Sequence, residues 1–550
     1  MRYLIPLGLY ALALIVRLVA ATEMPFPTTE PSAYYVGVAQ NLVGGEGLVS
    51  EAVWSYATEP IEVPKPAFTL WLPMSTFVSA AAMAVAGETF WAAQLGHSIL
   101  GALVAPLAWA IGREAANAQG LDARRGRAVA ITAGLLAAVL SPLVLSTVVP
   151  DSFTPFTVFM LGAALLVPRV IGARDGHDDV MPPSIVAGLA LGLAMGLAYL
   201  SRQEVIWMGL TVLLMQGLVL SWRPNGSRLR EAAKRLWPVI VGGLLVVVPW
   251  LVRNVVELGT PMSGQAVENM FLVDNEDVFA YSDPPSAATY LAQGATEVLL
   301  NPIEAALAGL VDVLLVPPFP VGMAGLLTIV LMWRAPFLRR PTALMATLLS
   351  GLLIFASTNL LFPVATLAGT FMHASGALLV GLGVAAAIGG DALLAKISAL
   401  REWERPNVVI APIALVSMAL LMAAFQVTLF GSQSGQRQEQ MGAVGAALER
   451  VAAERGTDLP STIITDHPMW LSQAIDGYAV VLPDEDIASV QELAARFEAP
   501  WVVVIDERGR YPDAFLTEDA RACLAADPIP LEAADTEVWL VELAPRCGAT

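Results

Sequence analysis

Lysine is nearly missing from this chain: Lys65, Lys234 and Lys396 are the three in 550 residues, and arginine carries the remaining positive charge. Charged residues of all kinds reach only 14%, against 56% hydrophobic ones, a balance too apolar for a soluble globular protein. No Gly-rich phosphate loop, His-Glu-x-x-His or Gly-x-Ser-x-Gly motif occurs, which leaves soluble nucleotide, metalloprotease and serine-hydrolase chemistry without a visible site. Cysteine is limited to Cys523 and Cys547. They can pair if that part of the chain lies outside the cell, but two cysteines alone do not establish a disulfide. The net charge of -18 is concentrated near the C-terminus: residues 431–550 hold 21 acids against 8 arginines. Such a tail does not seek nucleic acid or anionic lipid.

What the chain does have is a series of apolar runs approaching the roughly 20 residues that cross a bilayer. It reads as a polytopic α-helical membrane protein. The first run, 3–20, is interrupted by Arg17, which favours an uncleaved span over a signal peptide. Basic clusters mark the cytoplasmic side: Arg113 with Arg124, Arg125 and Arg127; Arg169 with Arg174; Arg223 to Arg235; Arg334 to Arg340; and Lys396 to Arg405. Keeping all five inside gives spans at 3–20, 90–111, 128–149, 153–171, 184–200, 205–222, 236–256, 321–333, 343–361, 367–388 and 408–429, about eleven in all. The run 67–86 must then be an interfacial or re-entrant helix within a first outer loop, 21–89. A stretch at 302–316, with Glu304 and Asp312 on one face, reads as an interfacial helix in a second large outer loop, 257–320. The membrane domain is expected to occupy 1–430. From 431 to 550 the pattern changes to an amphipathic helix at 438–454, β-rich runs at 462–465, 479–482, 501–505 and 538–541, and a helix at 487–497. This predicts a small extracytoplasmic α/β domain.

With that topology the polar residues hardest to explain by packing fall on one face. Glu30 and Lys65 lie in the first outer loop, where Tyr34 and Tyr35 follow the acid and Gly44 and Gly45 close an amphipathic run. Asp151 ends Val148-Val149-Pro150-Asp151, Arg202 and Glu204 form an outward turn, and Arg253 ends Pro249-Trp250-Leu251-Val252-Arg253-Asn254. His97 and His373 stand about two turns inside an outer end. Each has a plainer alternative. Glu30 can be a helix N-terminal acid, Lys65 a snorkelling cation, Asp151 a helix cap, Arg253 a membrane-interface anchor, and Arg202 and Glu204 a local pair. The histidines can be packed polar groups. The cytoplasmic acid-histidine segment 175–179 reads as a solvated loop, and Asp466-His467-Pro468 as a turn after a strand.

These residues resemble the C-type integral membrane glycosyltransferases, in particular the bacterial relatives of the dolichyl-phosphate-mannose protein mannosyltransferases and the aminoarabinose transferases (the family 39-like group). The similarity rests on an acid before a Tyr and an Ala-rich helix ending in Gly, here Glu30, Tyr34 or Tyr35, Ala39 and Gly44 to Gly47. It continues with Lys65-Pro66-Ala67 before Trp71-Leu72-Pro73, a second acid at Asp151, and Pro-Trp-x-x-Arg-Asn before Gly259-Thr260-Pro261. Glu30 stands where that group has an aspartate, and Ala67 replaces the second proline of a Lys-Pro-Pro element.

The resemblance implies an inverting transfer of a sugar from a polyprenyl-phosphate donor to a protein, lipid or glycan acceptor on the outer face of the plasma membrane. Glu30 or Asp151 suits the general base. Lys65, Arg202 and Arg253 suit the developing charge of the lipid phosphate, and Tyr34, Tyr35, Glu204, His373 and His97 are further cavity candidates. A divalent metal ion is left open, because paired acids work with or without one. The main alternative is a secondary transporter of an organic anion using Arg202, Glu204 and Asp151. A third is a non-catalytic membrane protein whose acidic tail binds a cell-wall partner.

Overall fold

Proline and arginine shape the membrane body together. The helix Ala123–Val139 breaks before Ser141–Val148, with a bend of 42°. Pro142 has no N–H to offer the carbonyl of Ala138, four residues back. The donor comes from another helix: Arg17, fully buried in Leu4–Ala21, gives Nη1 to Ala138 O at 3.1 Å and to Ala13 O at 3.0 Å, and Nη2 to Leu143 O at 2.8 Å. The charge that interrupts the first apolar run therefore caps a broken helix, where the carbonyl end of the helix dipole favours a cation.

The computed structural model describes residues 3–173, 182–221, 228–262, 265–405, 407–505, 515, 517–533 and 536–547. The segment 175–179 lies outside the described residues, as do Arg174 and Arg223. Among the described residues eight helices are long and apolar enough to cross a membrane, and the bent pair at Pro142 makes a ninth. Two of the eleven expected spans are occupied by shorter apolar helices, Ile185–Tyr199 and Val321–Leu331, and a third short apolar helix, Met74–Ala86, lies within the stretch expected to be interfacial or re-entrant. The expected span 367–388 is also different. Short helices Pro363–Leu367 and Thr370–Ala374 precede a long one, Gly376–Leu400, so His373 sits on a separate turn and not two turns inside a span. The break falls at Gly369, whose φ of 103° is a left-handed conformation open to glycine. Helix 185–199 approaches Arg228–Leu258 so closely that a Cβ on Gly192 would lie 2.1 Å from Val239 O. At the far end of the body Arg125 pairs bidentately with Asp391, Nη2 to Oδ2 at 2.6 Å.

The division at residue 430 is crossed twice. Helix Ile410–Arg455 runs unbroken through it for 46 residues, so the expected helix 438–454 is its last part. The C-terminal sheet also takes in a strand from the first outer loop. Its order is Ala52–Val53, Tyr478–Val481, Thr462–Thr465, Trp501–Val504, Thr536–Glu542, Ile529–Ala533, the first four parallel and the last two antiparallel additions. Alternate residues of the central strands serve two cores. Ile463 and Val503 pack with Met441, Val444 and Leu448 of the long helix, whereas Ile464, Val502 and Val504 pack with Val490, Leu493 and Phe497 of helix Ile487–Phe497. Trp470 Nε1 donates to Pro27 O at 3.1 Å, and Ser434 exchanges hydrogen bonds with the backbone of Phe26. Cys523 and Cys547 are joined in a disulfide.

Arg17→Leu should therefore destabilise the protein by about 1–3 kcal/mol for each carbonyl left without its donor. The test is the thermal unfolding midpoint in detergent; an unchanged midpoint would reject the capping role.

Candidate active-site cavity

Three helix ends and the outer loops enclose a cavity of about 520 Å³, large enough for a small ligand. The turn after Ile185–Tyr199 brings Arg202 and Glu204, and Ser152 comes from the start of Phe153–Ile171. His373 comes from the short Thr370–Ala374 helix, Tyr35 from Glu30–Gly44, and Trp54 and Trp71 from the first outer loop. The second outer loop adds Asn269 and Asn275.

Arg202 is pre-positioned by three partners. Its Nη2 meets Glu204 Oε1 at 2.6 Å and Thr370 O at 3.2 Å, and Nη1 meets Ser152 Oγ at 3.2 Å. Burial works against its charge, but Glu204, Asp151 and Tyr35 outweigh it and the guanidinium pKa rises. Asp151 does not itself line the cavity, but His373 does, with Nδ1 2.5 Å from Asp151 Oδ2. The other oxygen of Asp151 accepts the backbone N–H of Ser152. Burial alone would raise its pKa; His373, then Arg202 and Ser152, hold it well below the usual carboxylate range. A carboxylate that accepts a hydrogen bond from Nδ1–H fixes the imidazole tautomer and leaves Nε2 as the acceptor. A Cβ at residue 369 would stand 3.7 Å from that Nε2. Tyr35 is pushed well up by burial and by the charge of Asp151.

The other sequence candidates sit around this centre. Glu30 starts its helix behind Pro31 and Trp54, both of which line the cavity; Oε2 accepts Trp54 Nε1–H at 3.1 Å, and His467 Nδ1 lies 3.6 Å from Oε1. Lys65 is buried away from the cavity, donating Nζ to Thr58 O at 2.8 Å. Arg253 binds Ala67 O at 2.9 Å over the Trp250 ring, and Tyr34 OH accepts the Phe68 N–H at 2.6 Å. These three residues hold the Lys-Pro-Ala loop. His97 is fully buried between helices, bonded to Ser75 Oγ and Ser75 O at 3.2 Å. The structure thus brings Asp151, Arg202, Glu204, His373 and Tyr35 together, and leaves Lys65, Arg253, Tyr34 and His97 outside the cavity wall. Sequence reasoning passed over Trp54, Asn269, Asn275 and Ser152, since a single aromatic or amide in a polar loop carries no spacing signal. It read His467 only as part of a turn. Among the described residues no three His, Cys, Asp or Glu side chains converge to hold a metal.

A second feature adjoins the first. Helices 185–199, 206–221 and 228–258 form an apolar groove of about 760 Å³, lined by Met195, Val212, Leu213, Ile240 and Leu244 among others. Gln203 and Ile206 line both groove and cavity.

The fold is that of the C-type integral membrane glycosyltransferases. The chain is similar to ArnT from Cupriavidus metallidurans in the apo state (15% identity, TM-score 0.52, 99% of this chain and 98% of that one). It is equally similar to the same protein bound to undecaprenyl phosphate (16%, 0.53, 98% of each). No family model matches the sequence, and no curated protein does.

Lys65 yields a pH prediction. Burial lowers its pKa from 10.5 to about 8, the nearby Glu59 and Glu62 offsetting it only in part. Between those values the unfolded chain holds the proton and the folded chain does not, so stability rises with pH. Compared with Lys65→Met, the wild-type thermal midpoint should therefore gain as pH increases from about 8 to 10.5. A pH-independent difference would mean that Lys65 is not buried as a charge.

Proposed function

We propose that the protein transfers a sugar from a polyprenyl-phosphate donor to an acceptor hydroxyl on the outer face of the membrane. The observation that carries this reading is the junction of an apolar groove with a polar cavity, where Arg202 stands at one wall and His373 with Asp151 at another. A prenyl chain suits the groove, open among membrane helices, and a sugar phosphate suits the cavity. The neighbour bound to undecaprenyl phosphate supports the donor class. The fold comparison lends no support to the transporter alternative.

In the proposed reaction the acceptor oxygen attacks the anomeric carbon opposite the phosphate. The new C–O bond forms as the bond to the phosphate oxygen breaks, so the configuration inverts. The acceptor proton passes to His373 Nε2, with Asp151 orienting the ring and stabilising the imidazolium. The polyprenyl phosphate leaves with an added negative charge facing Arg202. Of the two carboxylates singled out in the sequence, Asp151 supports the base directly in this reading, through its contact with His373, and Glu30 acts from behind Trp54. Outer-face activity and an extracytoplasmic C-terminal domain follow from the charge rule, and both outer loops pack against that domain: Tyr56 OH donates to Val481 O, and Tyr281 N donates to Glu485 Oε1 at 2.6 Å.

The test is incubation of purified protein with radiolabelled polyprenyl-phosphate sugars and membrane extract. His373→Ala, Asp151→Asn and Arg202→Gln should each lower kcat by about 10²–10⁴-fold. Undiminished transfer in all three would reject the site, and no transfer by wild type from any donor would favour the transporter.

A further inference from the structure

Trp54 is where the outer parts of the molecule meet. It directly follows the Ala52–Val53 strand that pairs with Ala479 and Val480 of the C-terminal sheet. Its ring lies 4.9 Å from Trp71 of the same loop, tilted by 45°, and 4.9 Å from Phe279 of the second outer loop, at 76°. Trp71 continues the wall to Tyr35, 6.1 Å away. The only polar atom of the indole is committed to Glu30 Oε2, so the half-exposed part facing the cavity is apolar carbon.

Glu30 is held in turn from the C-terminal domain. His467 Nδ1 lies 3.6 Å from Glu30 Oε1, and its ring packs 4.7 Å from Trp470. Both partners are nearly buried. The turn carrying His467 is anchored at Asp466, whose carboxylate accepts the Ile505 N–H at 2.9 and 3.0 Å, and at Trp470, bonded to Pro27 O. Arg437 lies over the Trp470 ring, 4.0 Å from its centroid.

We propose that Trp54, with Trp71, is the platform for the carbon-bound face of a saccharide ring, and that Glu30 and His467 are positioning residues that set the indole. This rests on the transferase reading and names what its cavity recognises. A pyranose or furanose ring presents C–H groups on one face and hydroxyls at its edge. The aromatic wall takes the first, while Asn269, Asn275, Gln203 and Glu204, all lining the same cavity, offer the amide and carboxylate partners that the second needs. The C-terminal domain then acts as part of the sugar site, through one histidine.

The experiment uses full-length protein in detergent, labelled with 5-fluorotryptophan. The Trp54 fluorine line is identified by its loss in Trp54→Phe. It should move in Glu30→Gln and in His467→Ala, return toward the wild-type position in His467→Asn, whose amide keeps a polar group facing Glu30, and stay in place in His373→Ala. Lipid-linked sugars extracted from the native membranes should shift the line, and the same extract after mild acid release and removal of the sugars should not. A shift with a delipidated membrane glycan fraction alone would assign the platform to the acceptor's ring. In transfer assays His467→Ala should lower kcat/KM about tenfold or more through KM, with His467→Asn recovering most of it. A Trp54 line indifferent to His467→Ala and Glu30→Gln, or to every saccharide fraction, overturns the proposal. The fluorine readout needs no turnover, so a wild type that transfers nothing would sink the proposed function while leaving these two outcomes to decide the platform.

Discussion

Two residue pairs, Ala52 with Ala479 and Val53 with Val480, join the first outer loop to the C-terminal sheet. A two-residue strand gains little by itself, but this one is backed on both faces: Ala52 packs in the core with Ile463 and Trp470, and Val53 in the core with Val480 and Val502. Once the strand is in place the loop cannot move independently of the domain. Trp54 is held next to it, Tyr56 reaches Val481 O, and Ser55 Oγ bonds Gln265 Oε1 of the second loop at 2.5 Å. The two outer loops that roof the cavity are thereby tied to each other and, through the first, to the edge of the C-terminal sheet.

The floor obeys a different constraint. Irregular backbone near a bilayer is tolerated where protein or a cavity satisfies its polar groups. The cavity's chemistry sits at such interruptions. Asp151 and Ser152 follow the Pro142 break that Arg17 caps, Arg202 and Glu204 occupy the turn between two helices, and His373 rides the short helix between Gly369 and Gly376. Partners at these breaks come as much from backbone as from side chains: Thr370 O holds Arg202, and Ser152 N holds Asp151. A helix interior could not present them, because its carbonyls and N–H groups are already paired.

Much of the membrane body was legible because long apolar runs and basic clusters are strong, local signals; the tail strands 462–465 and 501–505 were legible because their apolar runs are short and β-branched. Asp151, Arg202 and Glu204 were found as charges at predicted span ends; Arg202 and Glu204 line the cavity and Asp151 stands behind His373. Less visible was anything set by distant contacts. Ala52–Val53 has no strand signal, and its pairing spans more than four hundred residues. His373 looked interior because hydropathy runs smoothly across 367–388, whereas the break depends on a left-handed glycine. Lys65 drew attention by its rarity, yet its ammonium is spent on Thr58 O. His467 follows its strand as the turn reading expected, and only the tertiary fold sets it beside Glu30.

The charges of the cavity also limit how the proposed transfer can run. Arg202 is balanced by Glu204, and Asp151 is kept ionised by its neighbours, so with a neutral His373 the cluster carries a net negative charge. Held well below the usual carboxylate range despite its burial, chiefly by His373 and then by Arg202 and Ser152, Asp151 is a poor proton acceptor and a good partner for an imidazolium. As the acceptor proton reaches His373, a positive charge appears beside Asp151 while a negative charge appears on the departing phosphate. The two charges arise together within one cavity, and the guanidinium of Arg202, already held by Ser152 and Thr370, need not reorganise to meet the second. In the proposed transfer the Asp–His pair thus supplies both the proton acceptor before transfer and a counter-charge after it.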